Sequence, residues 1–201
     1  MNPTMIAVVR ASRDLLSAYL AGYPEDAARL TQLREQLALG NPDILVRSTM
    51  AGHITTSIVV FDPATRKVLL IFHGTYKDWM PAGGHFEMDI SLWLSALREL
   101  FEETGVVADA LDWCGVGSAR LPVDIDTHPI PANPKKGEGA HFHHDFTFVA
   151  TASSLVPLVP QVEEVDEADW VHLSVLHKSP LERVRRLGAR LDTALPAMAT
   201  A

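Results

Sequence analysis

One cysteine, Cys114, is present in 201 residues, so neither an internal disulfide framework nor a multi-cysteine zinc site can be built. Basic charge is also short: 17 Lys and Arg stand against 25 Asp and Glu, a net charge of −8. That balance excludes a general nucleic-acid binder, which needs a basic excess to neutralise phosphates, so no DNA partner is expected. No window approaches the about 18 consecutive apolar residues of a membrane-spanning helix. The opening segment offers only Met5 to Val9 as an apolar run, too short for the core of a signal peptide. These absences point to a cytoplasmic address. What remains is an ordinary packed chain, 47% apolar and 21% charged, long enough for one domain or one domain with an extension.

The first 45 residues read as helical. Leu15, Leu16, Tyr19 and Leu20 recur at helical spacing, and Leu30, Leu33 and Leu37 do so again after Pro24. The spacing predicts helices over about residues 11–21 and 25–39, with Gly40 as C-cap and Pro42 beyond it. The pattern then changes to strands. Residues 54–61 and 67–72, separated by Asp62-Pro63-Ala64-Thr65, read as a hairpin. Gly83-Gly84 marks a second turn. Further strands are expected near 106–121, 140–151 and 168–173, and Pro122 to Gly139, with four prolines, reads as a long loop. Residues 180–191 read as a helix burying Leu181, Val184, Leu187 and Leu191.

The densest chemistry lies in the helix expected from Ser91 to Thr104, with Ser91 as cap, Gly105 as stop, and Leu92, Ala96, Leu97, Leu100 and Phe101 as its apolar face. Glu99, Glu102 and Glu103 are three and four residues apart, which places three carboxylates on one face. Like charges at that spacing repel, and the helix dipole disfavours them at the C-terminal end. A solvated acidic face is one reading. A hard divalent cation that compensates the charge is the other, because Mg²⁺ pairs a few carboxylates with substrate phosphates.

The residues around this helix resemble a known family. Gly84, Arg98, Glu99, Leu100, Glu102, Glu103, Gly105 and Val106 fit the signature of the Nudix hydrolases at its required spacings. One position departs: the first signature glutamate falls on Ile90, with Glu87 and Asp89 nearby as substitutes. The resemblance implies an α/β fold, an α/β/α sandwich with a mixed sheet over 46–201; the helical extension over 1–45, read from the residue spacing, lies outside the family's common core. It implies an Mg²⁺-dependent (or Mn²⁺-dependent) pyrophosphohydrolase acting on a small-molecule nucleotide, either a nucleoside diphosphate derivative or a nucleoside triphosphate. Glu99, Glu102 and Glu103 would be the metal ligands. Arg98, Glu102, Glu103 and Glu164 would form the catalytic set, with Arg98 orienting carboxylates and a carboxylate such as Glu164 accepting a proton; His143, whose role the resemblance does not assign, is the other candidate proton acceptor. Gly84 and His85, at the approach to the signature, and Trp79 would contact substrate. Ile90 also keeps open a nucleotide-binding sensor of the same fold with weak or no catalysis. An isomerase of this fold would need a catalytic cysteine, and Cys114 lies in an apolar run.

A second constellation is His141-Phe142-His143-His144-Asp145. Strand side chains alternate, so His141, His143 and Asp145 share one face. That face can contact substrate, bind a transition metal or form a structural hydrogen-bonded row. His53 opens the first strand and is a further substrate candidate, as is His128. A homodimer is the base-rate expectation for assembly.

Overall fold

The computed structural model describes residues 2–74, 76–112, 120–134, 137–159 and 167–198. The chain opens with helix α1 (Pro3–Gly22) and continues through a short 3₁₀ turn, Pro24–Ala27, into α2 (Thr31–Ala38). Strands β1 (His53–Asp62), β2 (Lys67–His73), β3 (Asp78–Met80) and β4 (Ala82–His85) precede α3 (Leu92–Thr104). Then come β5 (Asp124–Ile130), β6 (His141–Thr151), β7 (Glu167–His172) and α4 (Glu182–Met198). Among the described residues the strands form one sheet in the order β3-β2-β1-β6-β5, with β4 pairing with β1 and β7 with β2. The fold is therefore mixed α/β, as the resemblance implied, with an N-terminal helical segment, as the residue spacing implied.

Several boundaries differ from expectation. Helix α1 begins at Pro3, not near residue 11, because Asn2 caps it by accepting the Thr4 N–H at 3.0 Å and Pro3 sits at N1. The helix expected over 25–39 is broken: a 3₁₀ turn ends at Ala27, and α2 starts at Thr31, whose N–H reaches back three residues to Ala28. Gly83-Gly84 lies in β4 and is not a turn. The expected long loop contains β5. Of its four prolines only Pro129 falls in the strand, one residue from its end, where a missing N–H costs least. Residues 106–112 hold a 3₁₀ turn and an isolated bridge from Asp112 to Thr151 where a strand was expected. The rest of that segment, with Cys114, lies outside the described residues.

Contacts divide the chain into two compact units. The first holds residues 1–56, 84–95 and 125–146, and the second holds 57–83, 96–124 and 147–201. In the first, α1 packs on α2, and Leu30, Leu33 and Leu37 are fully buried. Each such side chain contributes about 1.5–3 kcal/mol of burial free energy. Arg29 extends this packing to β5: its guanidinium donates to the Ile125 carbonyl, to Asp126 Oδ1 at 3.4 Å and to Asp26, which also accepts from the Tyr19 hydroxyl. Gly52, at φ +141°, lets His144 and Gln36 close over the chain; a Cβ there would stand 2.6 Å from His144 Nε2 and 2.9 Å from Gln36 Oε1. His144 Nε2 meets Gln36 Oε1 at 2.6 Å, and its Nδ1 meets Thr127 Oγ1 at 2.9 Å.

In the second unit, β2 pairs antiparallel with β7 from Lys67↔His172 to Phe72↔Glu167. The core there includes Val59, Phe61, Val68 and Leu70, closed by Val184, Leu187 and Leu191 of α4 on the face that the sequence marked. Arg186 fixes α4 by forking onto the buried Asp124, Nη2 to Oδ2 at 3.0 Å and Nε to Oδ1 at 3.3 Å. Asp62 ends β1 by accepting from the N–H groups of Ala64 (2.8 Å), Thr65 (3.4 Å) and Ser154 (2.8 Å). Burial pushes its carboxyl up, but those donors outweigh it and hold the group well below the usual carboxylate range.

Candidate functional site

The carboxylate site is built by α3. Ser91 caps the helix, accepting the Leu94 N–H at 3.2 Å, and Gly105, at φ +76°, ends it with its N–H on the Phe101 carbonyl at 2.8 Å. Leu92, Ala96 and Leu100 are buried, while Phe101 is 45% exposed and lies off the apolar face assigned to it. This orientation leaves Arg98 and the glutamates to one another. Arg98 Nη1 donates to Glu99 Oε1 and to Glu102 Oε2, both at 2.9 Å. One guanidinium nitrogen thus holds two carboxylates that would otherwise repel. Glu103 is held differently: its Oε2 accepts the backbone N–H of Gly83 at 2.9 Å. Glu99 and Glu103 are buried, and Glu102 is partly exposed.

Three hard oxygen donors on one helical face, two of them buried and all oriented by N–H donors, fit the ligand chemistry of Mg²⁺. At the position of the missing glutamate Ile90 offers no oxygen donor, and Asp89 beside it is half-buried. Ile90 is 72% exposed, and Glu87 beside it is exposed as well.

The histidines form a separate cluster within the first unit. The rings of His53 and His141 stack at 5.0 Å, and His53 lies 4.8 Å from His143 and 5.2 Å from His85. His85 and His128 flank His143 at 5.1 and 5.7 Å. Strand alternation puts His141 and His143 on one face as expected, with their Nε2 atoms 3.2 Å apart. Asp145, on the same face, instead accepts from Thr55 Oγ1 at 2.9 Å. His128 pairs with Asp126 at 2.9 Å.

Burial disfavours the protonated form of three of these imidazoles. It pushes His143 down to about 2, with the neighbouring imidazoles His85, His53, His128 and His141 adding to the effect. It lowers His53 as well, and brings His85 to about 4 with help from Arg47 and His53. Imidazoles so resistant to protonation are weak proton acceptors near neutrality and good neutral ligands. Among the described residues, His53, His141 and His143 each present a ligand atom within 4.8 Å of the others, so the cluster is a potential divalent-metal site.

The remaining sequence candidates fall elsewhere. Trp79, on β3, packs edge-on against Phe72 at 5.5 Å and against the core of the second unit. Gly84 is part of β4. Glu164 lies outside the described residues. The meeting of His53 with His141 and His143 is not legible in the sequence, because no local spacing joins residues so far apart.

A family model described as the NUDIX domain matches residues 52–190. A probable DHNTP pyrophosphohydrolase from Lactococcus lactis subsp. cremoris is 28% identical over 125 residues, covering 62% of this chain and 69% of that protein. Among solved structures, a C. elegans Ap4A hydrolase binary complex has a TM-score of 0.55 at 18% identity, covering 72% of this chain and 98% of its own. The E. coli dihydroneopterin triphosphate pyrophosphohydrolase has a TM-score of 0.54 at 16% identity, covering 71% and 95%. At these identities the structural likenesses show the fold alone. With the family model spanning more than half of the 201 residues and the signature helix in place, the chain belongs to the Nudix family and is a pyrophosphohydrolase of the Nudix type, acting on a diphosphate-containing substrate.

Proposed function

We propose that this protein hydrolyses a phosphoanhydride bond of a nucleotide-like triphosphate or a nucleoside diphosphate derivative, using Mg²⁺ held by Glu99, Glu102 and Glu103, with Mn²⁺ as a substitute. The observation that carries this reading is the bonding of α3: Arg98 shared by Glu99 and Glu102, and Glu103 fixed by the Gly83 N–H. The triphosphate arm is supported by the sequence relative named a probable DHNTP pyrophosphohydrolase. The same reading takes a small soluble nucleotide as partner, a cytoplasmic address, a homodimer, and an organisation of a helical extension (1–45) before the catalytic domain (46–201). Among the described residues no helix is long and apolar enough to cross a membrane.

A diphosphate resists attack because its anionic oxygens repel a nucleophile; Mg²⁺, held by Glu99, Glu102 and Glu103, would supply the neutralising charge. The protein's own groups do the rest. Arg98 orients Glu99 and Glu102 through its two hydrogen bonds. Gly83 fixes one oxygen of Glu103. Glu102, the most exposed of the three, takes the proton of the attacking water, a role for which a carboxylate suits better than the deeply neutral His143.

A second reading, a nucleotide-binding sensor with weak catalysis, is favoured by Ile90 in place of the first signature glutamate. A hydrolysis screen with Mg²⁺ separates the two. The panel holds dihydroneopterin triphosphate, nucleoside triphosphates, ADP-ribose, nucleotide sugars and dinucleoside polyphosphates. Turnover that disappears in Glu103→Gln and with chelator supports the hydrolase. Ligand-induced thermal shifts without turnover support the sensor.

A further inference from the structure

The histidine cluster contains more than three neighbouring rings. His53 is fully buried, and its Nε2 has no hydrogen-bond partner among the described residues. Leaving a buried polar atom unpaired is costly, so this atom calls for a partner. Its chemical form is fixed by the other ring nitrogen. Nδ1 faces the Thr49 carbonyl at 3.3 Å. A carbonyl only accepts, so Nδ1 carries the proton and Nε2 presents a lone pair. His141 repeats the device: its Nδ1 faces the Gly139 carbonyl at 2.7 Å, which leaves its Nε2 as a lone pair too. Backbone carbonyls holding Nδ1–H so that Nε2 is free to bind are the usual support of metal-ligating histidines.

The separation of one pair of ligand atoms agrees, and all three lie within 4.8 Å of one another. His141 and His143 Nε2 lie 3.2 Å apart. Two nitrogens at about 2.0–2.1 Å from a tetrahedral zinc ion stand about 3.3 Å apart. We propose that His53, His141 and His143 form a three-imidazole site for a divalent transition cation of the zinc class, bound through Nε2, with one coordination position left for water or an anionic oxygen.

This site differs in kind from the carboxylates of α3. Imidazole nitrogen favours zinc, cobalt and their neighbours, whereas Mg²⁺ demands oxygen. The two sites therefore sort different ions from the same solution. The inference goes beyond the hydrolase reading and does not depend on it: hydrolysis reports the glutamates, and Co²⁺ absorption reports the histidines.

The test uses the untagged full-length protein, stripped with a chelator and titrated with Co²⁺. Nitrogen-ligated Co²⁺ of low coordination number absorbs visible light far more strongly than the aqueous ion. The expected result is an intense band that saturates at one equivalent, collapses on adding Zn²⁺ and ignores excess Mg²⁺. His141→Gln and His53→Gln should weaken Co²⁺ binding by more than the about 10–100-fold lost when only a supporting partner of a ligand is removed. Glu103→Gln should keep the band. Circular dichroism confirms that each variant is folded, and the wild-type titration stands by itself if a histidine variant is not. The absence of a saturable band in the wild type overturns the proposal. So does a band that survives in folded His141→Gln, or one that vanishes in Glu103→Gln; the last would assign the ion to α3.

Discussion

The α3 carboxylates and the histidine cluster are built by opposite routes. Arg98, Glu99, Glu102 and Glu103 lie within six consecutive residues, and one helical turn brings them together. The histidines come from β1, β4, β5 and β6, and only the fold assembles them. The first group consists of carboxylates held by N–H donors; the second consists of imidazoles packed against one another, three of them anchored through Nδ1. A local constellation survives changes elsewhere so long as its helix forms. A dispersed one depends on every strand that carries a member.

The largest effect that would break this comparison is loss of chemistry without loss of fold. Glu103→Gln keeps an oxygen for the Gly83 N–H but removes a charge from the metal ligands. Hydrolysis measured in Mg²⁺ should drop by about 1,000-fold, the equivalent of about 4 kcal/mol of metal-assisted stabilisation. The melting temperature without metal should barely move. Comparable activity in this variant would end the assignment of Glu103.

Next comes a change with the reverse signature. Gly52→Ala places a Cβ against His144 and Gln36 at a positive φ, and should destabilise the protein by about 3 kcal/mol. Urea denaturation checks this, and an unchanged midpoint would show that the first unit tolerates displacement.

Arg98→Lys then tests whether the shape of the guanidinium, and not its charge alone, places the two carboxylates. A lysine keeps the charge and loses the planar fork, so apparent Mg²⁺ affinity should fall by about 10–100-fold. An unaltered Mg²⁺ dependence would make Arg98 a charge donor only.

A smaller effect comes from Asp62, a carboxylate belonging to neither site. Its folded-state affinity for protons is depressed, so the unfolded chain takes up the proton first. Its contribution is therefore complete above the unfolded value of about 4 and is lost as pH falls through and below it. Asp62→Asn should cost about 1 kcal/mol at neutral pH and flatten the acid limb of the stability curve. An acid limb identical to wild type would remove Asp62 from the account.

Ile90→Glu gives the smallest expected change. The side chain at this position is largely exposed, and an added surface charge contributes about 0.2–1 kcal/mol, or about a 1.4- to fivefold gain in Mg²⁺ affinity. A gain of orders of magnitude would show that the signature glutamate acts in full where Ile90 stands.

The same contrast explains which features are legible in the amino-acid sequence. The α3 site is legible because helical spacing is a local rule, and Ser91 and Gly105 bracket it. The buried face of α4 follows from the same rule at Val184, Leu187 and Leu191. Strand alternation gives the shared face of His141 and His143 but says nothing of His53, which joins them by sheet pairing. The early start of α1 is carried by Asn2-Pro3, a cap outweighed in the sequence by the stronger apolar repeat further on. Strand β5 is hidden by prolines that mostly flank it.

Gly52 has a consequence for divergence. Because its Cβ position is already filled by the ends of Gln36 and His144, any larger residue there requires both neighbours to shrink or move. Positions 36, 52 and 144 are thus expected to change as a set among related chains. A relative with a side chain at position 52 should also lack one of the two partners, which makes this trio a marker of the helical extension's attachment to β6 across sequences that share little else.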